Sequence, residues 1–175
     1  ILDLNKKKSM VAWLVDQGYT VFILSWINPG PVQGAETWES FMQNTSDAID
    51  VALAETKQKS LNMVGYCAGG ALTATMLCHM KKKGDKRVDS ATLFTAQTEY
   101  SNAGELQVFV DEETVKVVDE QMDKGYLPAH SMANAFNLLR SSDLIWSYVV
   151  ENYMLGKEPF PFDLLYWNAD STSMP

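Results

Sequence analysis

The chain has 175 residues, of which 46% are hydrophobic and 21% charged, with a formal net charge of -8. Such a composition predicts a soluble globular domain with a sizeable core. It excludes the basic footprint of a nucleic-acid binder, and no apolar run approaches the roughly 20 residues of a membrane span. The charge is uneven: residues 1 to 97 sum to +1 and residues 98 to 175 to -9, which suggests a subdomain boundary near residue 97. Two thiols, Cys67 and Cys78, give no disulfide framework and point to a reducing, cytoplasmic setting. The opening Ile1-Leu2-Asp3-Leu4 has the character of neither a signal peptide nor an initiator segment.

The pattern predicts a short helix over Ser9 to Gln17, capped by Ser9, with Met10, Trp13 and Leu14 on one face and Gly18 as its stop. Tyr19 to Trp26 is a continuous β-prone run of the kind buried on both faces of a sheet, closed by Asn28-Pro29-Gly30-Pro31. A helix is expected from Thr37, its cap, to Thr56, with Trp38, Phe41, Met42, Ala48, Ile49, Ala52 and Leu53 at near-helical spacing and Ser40 and Asp47 on the wet side. Lys59 to Gly65 follows as a strand and Gly69 to Lys82 as a helix. That helix ends in Lys81-Lys82-Lys83, where cations suit the dipole, and in Gly84. Ser90 to Ala96 is a further strand. The alternation implies an α/β protein: a parallel sheet with helices on both faces. Beyond Ala96 the pattern turns helical, at Asp111 to Met122 and Ser131 to Leu155, with breaks at Gly125, Pro128 and Gly156, then an extended Pro159 to Phe162 and the apolar Leu164 to Asn168. Residues 98–175 therefore suit a helical cap over a site carried by residues 1–97.

The organising stretch is Asn62-Met63-Val64-Gly65-Tyr66-Cys67-Ala68-Gly69-Gly70-Ala71. It is a strand-to-helix turn of the G-x-nucleophile-x-G kind with Cys in the nucleophile's place. A nucleophile at the tip of so tight a turn crowds its neighbours, and Gly65 and Gly69 remove the side chains that would collide. The turn lifts the sulfur clear of the sheet, and the N-terminus of the next helix points at it and suits a negative charge. The backbone N–H of Ala68 begins that helix and is placed to be one oxyanion donor. The plain alternative for Cys67 is a small buried hydrophobe; the flanking glycines, strand and helix argue for the nucleophile.

A thiol nucleophile needs a base, and the base an acid behind it. His79 lies twelve residues beyond Cys67 on the same expected helix, about 18 Å along its axis, and cannot be that base. His130 falls in the cap region, out of the chain order usual for such triads. Acid and base are thus expected beyond residue 175. Cys78, among Met76, Leu77 and Met80, reads as core packing, and the Cys and His spacings form no metal-ligand set. Lys6-Lys7-Lys8 and Lys81-Lys82-Lys83 suit a solvated surface, with attraction of a polyphosphate-bearing substrate as the alternative. The aromatic cluster from Trp146 to Trp167 reads as cap core, or else as an apolar channel or subunit contact.

These residues bear a resemblance to a known family. Gly65-Tyr66-Cys67-Ala68-Gly69-Gly70, Gly18 to Phe22 with Ser25-Trp26 and Asn28-Pro29, Val108 to Glu112, Asp143 to Trp146 with Tyr148 to Val150, and Phe162 to Thr172 are similar to polyhydroxyalkanoate synthases, particularly the single-subunit type acting on short-chain 3-hydroxyacyl-CoA. The resemblance covers essentially the whole chain. It implies a partial α/β-hydrolase core with a cap and a Cys-His-Asp triad in which Cys67 is the Cys, and it makes the chain similar to an internal fragment of a synthase. It implies release of CoA through a covalent cysteine thioester and growth of a polyester chain, with the CoA thioester as substrate and no cofactor. It further implies a homodimer, a cytoplasmic location at the polymer granule surface, and a cap or dimer role for Trp167. The competing readings are a Cys-type hydrolase resembling dienelactone hydrolase, which shares the Gly-Tyr-Cys-x-Gly-Gly box, and a granule-bound or inactive piece that keeps only the fold.

Overall fold

The computed structural model describes residues 2–104, 107, 110–139, 141–159 and 172–174. The chain divides into two compact units, one of residues 36–115 and one combining 1–35 with 116–175.

The unit of residues 36–115 holds the βαβ motif that the sequence promised. Helix α2 (Trp38–Thr56) starts at a capping box: Thr37 accepts from the Ser40 backbone N–H, and the Ser40 hydroxyl accepts from the Thr37 N–H. Ser40, expected merely on the wet side, is thus half of the helix start. Strand β3 (Leu61–Tyr66) enters helix α3 (Ala68–Lys83), and strand β4 (Val88–Phe94) returns parallel to β3. The register runs from Asn62 opposite Ser90 to Tyr66 opposite Phe94, after an irregularity at Leu61. Gly84 ends α3 at φ +71, the left-handed cap that glycine adopts without a Cβ penalty.

The core of this unit lies between α2, α3 and one face of the sheet. Ile49, Met76 and Met80 form its centre, with Met42, Leu53, Leu61, Met63 and Val88 packed around them. Strand periodicity puts Leu61, Met63 and Gly65 on that face and Asn62 and Val64 on the other, where Val64 is 47% exposed. Within this unit, then, both α2 and α3 cover a single face, and among the described residues the expected helices on both faces are not seen. Each helix has one apolar stripe, and the two stripes meet in the same core.

An ionic clamp ties α2 to the turn before β4. The Arg87 guanidinium donates to Asp85, to Asp50 at 2.6 Å, and to the Ser46 hydroxyl and carbonyl. The hydrogen bonds from the Arg87 side chain, and then from its backbone N–H, hold the Asp85 carboxyl below its ordinary value. A carboxylate lowered in the folded state stabilises fully above its unfolded value. That contribution is lost as pH falls through the lower, folded one. Arg87→Ala should therefore lower stability by about 1–2 kcal/mol at neutral pH. Denaturant titrations should show the gap between variant and parent narrowing as pH drops below the ordinary carboxylate range; an equal gap at acid pH would contradict this account.

In the other unit, β1 (Asp3–Asn5) and β2 (Lys8–Ser9) form a small antiparallel ladder that the sequence had not suggested. Helix α1 (Met10–Asp16) follows, with the Ser9 hydroxyl accepting from the Ala12 N–H as expected, and Gly18 at φ +88 beyond its end. Trp13, expected on one face with Met10 and Leu14, is 59% exposed. The run Tyr19 to Trp26 is not a strand: no β-ladder of the described residues includes it, and Phe22 and Ile23 are 52% and 60% exposed. β-propensity describes how a side chain fits a pleated surface, and a strand forms only where a neighbour supplies the ladder. Helices α4 (Glu112–Gln121) and α5 (Ala129–Leu139) match the expected helical region, α4 crossing the division between units. The helical path resumes at residue 141 and continues as π-type turns over Ser142–Trp146 and Val149–Met154, ending before Gly156 at φ +65. The Ser173 N–H donates to the Asn28 side chain at 2.8 Å, and Leu127 pairs with Met174. The predicted features at 160–171, Trp167 among them, lie outside the described residues.

Candidate active site

The site is built at the carboxyl ends of β3 and β4. β3 delivers the chain to Tyr66, and Cys67 follows at φ +54 and ψ -120 before α3 begins at Ala68. A residue with a Cβ at positive φ is an outlier that costs about 1–3 kcal/mol, and it persists only where its surroundings fix it. Here the surroundings are explicit. The Cys67 N–H donates to the Phe94 carbonyl of β4 at 2.9 Å. The Cys67 carbonyl accepts from the Gly70 N–H at 2.9 Å and the Ala71 N–H at 3.3 Å. Both backbone polar groups of the turn are thereby held, one by the sheet and one by the helix.

The Cys67 side chain is exposed and its thiol free. Ala68 is the first helical residue, so helix geometry gives its N–H no acceptor within α3. A thiol and a backbone N–H without a helical acceptor therefore belong to consecutive residues at one helix start, an arrangement chemically capable of attack on a carbonyl and of donating to the resulting oxyanion.

The glycines divide differently from the expectation. None of Gly65, Gly69 and Gly70 adopts positive φ, so they are there for space and not for conformational freedom. A Cβ on Gly65 would stand 2.7 Å from the Gly70 Cα and 2.8 Å from the Gly69 carbonyl oxygen. A Cβ on Gly69 would meet nothing within 4 Å, whereas one on Gly70 would overlap the Ala96 methyl. The collision assigned to Gly69 falls instead on Gly70, because Gly70 is the residue that α3 turns toward β3 and the segment after β4.

His79 sits in the latter half of α3, exposed, with the helix between it and Cys67. His130 is an exposed residue at the start of α5, in the other unit. Cys78 is exposed, against the expectation of core packing. Helical periodicity explains this: Met76 and Met80 point inward, and residue 78 lies about 200° around the helix from each. Lys81-Lys82-Lys83 occupy the last turn of α3, at the opposite end from the thiol, about 20 Å along the axis. They cannot steer a polyphosphate onto Cys67 by contact. The residue just after β4 is a second outlier that no sequence pattern announces, Thr95 at φ +45.

Comparison with known proteins gives this geometry a family. A family model described as alpha/beta hydrolase fold matches residues 4–173, and the chain belongs to that family. Within it, the chain is similar along its whole length to poly(3-hydroxyalkanoate) polymerases. It is 47% identical over 177 residues to the poly(3-hydroxyalkanoate) polymerase subunit PhaC of Rhizobium meliloti, covering 100% of this chain and 29% of that protein. It is 49% identical to the poly(3-hydroxyalkanoate) polymerase of Methylorubrum extorquens, with the same coverage. It is 38% identical over 182 residues to the PhaC subunit of Cupriavidus necator, spanning 31% of its length. The resemblance read from the motifs is borne out, and the chain spans about three-tenths of the length of these relatives. No helix of the described residues is long and apolar enough to cross a membrane.

Proposed function

We propose that this chain is the nucleophile-bearing part of a poly(3-hydroxyalkanoate) polymerase, in which Cys67 carries the acyl group as a thioester. The observation that carries the reading is the strained conformation of Cys67, held from both sides at the end of β3, in a chain similar over its full length to such polymerases. In the proposed cycle a base takes the Cys67 proton and the sulfur attacks the carbonyl carbon of a 3-hydroxyacyl-CoA. The Ala68 N–H donates to the oxyanion, the bond from carbon to the CoA sulfur breaks, and CoA leaves with the proton. The 3-hydroxyl of a second unit or of the growing chain then loses its proton to the base and attacks the Cys67 thioester. An ester forms and the thiol is regenerated. Exchange between thioesters is nearly isoenergetic, which is the reason for sulfur here: the enzyme-bound acyl group remains a good donor.

The base comes from outside the unit of residues 36–115, whose single histidine, His79, stands well down α3 from the thiol. Residues 98–175 serve as the cap that keeps water from the thioester. A homodimer at the granule surface in the cytoplasm, with Trp167 in the cap or dimer contact, completes the proposal. Cys67→Ala is expected to abolish both polymer formation and CoA release from 3-hydroxybutyryl-CoA in the full-length polymerase. CoA release at the parental rate would sink the assignment, and hydrolysis without polymer in the parent would point to a Cys-type hydrolase instead.

A further inference from the structure

The nucleophile turn does not stand alone: a second strained residue lies beside it. Among the described residues only Lys57, Cys67 and Thr95 combine a side chain with positive φ. Lys57 is the left-handed cap of α2, a routine use of that conformation. Thr95 has no such role. It is β-branched, the residue type for which φ +45 is least comfortable. It directly follows Phe94, whose carbonyl receives the Cys67 N–H at 2.9 Å, and it directly precedes Ala96, whose methyl sits against Gly70 in the first turn of α3.

We infer that Thr95 is a positioning residue for Cys67, its left-handed turn locking the elbow from the β4 side. The reasoning is geometric. Tyr66 and Phe94 are the last paired residues of the parallel ladder. Past them, β4 has to do two things within two residues: leave its Phe94 carbonyl on the Cys67 N–H, and bring Ala96 back over Gly70. The reversal of hand at Thr95 is where the chain turns between these contacts. Without it Ala96 leaves Gly70, and the first turn of α3, which carries the Ala68 N–H, loses its backing. Gly65 supports the same turn from the β3 side, so the elbow is clamped between two strands. The inference rests on the nucleophile reading of Cys67 for its functional meaning, but its structural content is separately measurable.

The test uses Cys78 as an internal reference, since it is an equally free, exposed thiol on the same helix. On the full chain, iodoacetamide labelling followed by peptide mass spectrometry gives the ratio of Cys67 to Cys78 alkylation rates across pH. Thr95→Pro, which forces φ negative, is expected to change that ratio by about tenfold, the equivalent of the strain energy at stake. Thr95→Gly, which accepts positive φ, should keep the parental ratio and pH profile. Ala96→Leu, which pushes on Gly70, should reproduce the proline effect and serves should Thr95→Pro fail to fold. A parental ratio in a folded Thr95→Pro or Ala96→Leu chain overturns the inference, as does an equal change in Thr95→Gly, which would place the effect in the side chain. Loss of acyl-thioester formation is read separately through Cys67→Ala, so failure of the nucleophile reading leaves the labelling result interpretable.

Discussion

Gly65→Ala should destabilise the protein by about 3 kcal/mol or more, whereas Gly69→Ala, four residues away in the same motif, should be neutral or stabilising by up to about 1 kcal/mol. The contrast comes from what each new methyl meets. At Gly65 it meets backbone, the Gly70 Cα at 2.7 Å and the Gly69 carbonyl at 2.8 Å, with the Thr73 hydroxyl at 2.6 Å. Backbone at the start of a helix cannot rotate out of the way as a side-chain end does, so α3 has to move from β3. At Gly69 the methyl finds open space and exchanges a poor helix former for the best one. Gly70→Ala is the intermediate case. Its obstacle is the Ala96 methyl, a side chain that can itself be removed. A cost of about 1–3 kcal/mol is expected for the single variant. The double variant Gly70→Ala with Ala96→Gly should recover part of it, giving a favourable coupling in a double-mutant cycle. Chemical denaturation of the parent, these four variants and the single Ala96→Gly variant, six chains in all, measures all of this. A Gly69→Ala chain as damaged as Gly65→Ala would mean that the packing of the turn differs from that described.

How much of this was legible in the sequence depends on whether a feature is local. The α2 cap at Thr37, the Ser9 cap, the Gly84 stop and the strand–turn–helix around Cys67 are decided by a handful of consecutive residues, and each was read correctly. Features that require a partner far along the chain were not. Tyr19 to Trp26 has every local mark of a strand and no ladder among the described residues, because pairing is a property of two segments. Gly69 and Gly70 are indistinguishable in a motif; only the arrival of Ala96 from β4 assigns the steric role to Gly70. Thr95 carries no signal at all, since threonine predicts neither a turn nor positive φ. Cys78 was misplaced for a simpler reason. Apolar neighbours suggested burial, but the helical period turns it away from the core that Met76 and Met80 fill.

Cys67→Gly is expected to raise stability while eliminating chemistry. Cys67 holds φ +54 and ψ -120, outside the comfortable range of any residue with a Cβ, at a cost of about 1–3 kcal/mol. Glycine removes that cost but gains freedom in the unfolded chain worth about 0.4–1 kcal/mol, so the net gain should be near 1 kcal/mol. Cys67→Ala is the control. It deletes the sulfur, keeps the Cβ and should leave stability close to that of the parent, since the Cys67 side chain is exposed. The backbone bonds to Phe94, Gly70 and Ala71 survive both changes, so the difference between glycine and alanine isolates the strain. Neither variant can form an acyl thioester. A turn of purely structural purpose would be better served by glycine, so a strained cysteine there supports the proposal that the sulfur is used. Should Cys67→Gly prove less stable than Cys67→Ala, the strain would be absent and the strongest structural argument for Cys67 as nucleophile would go with it.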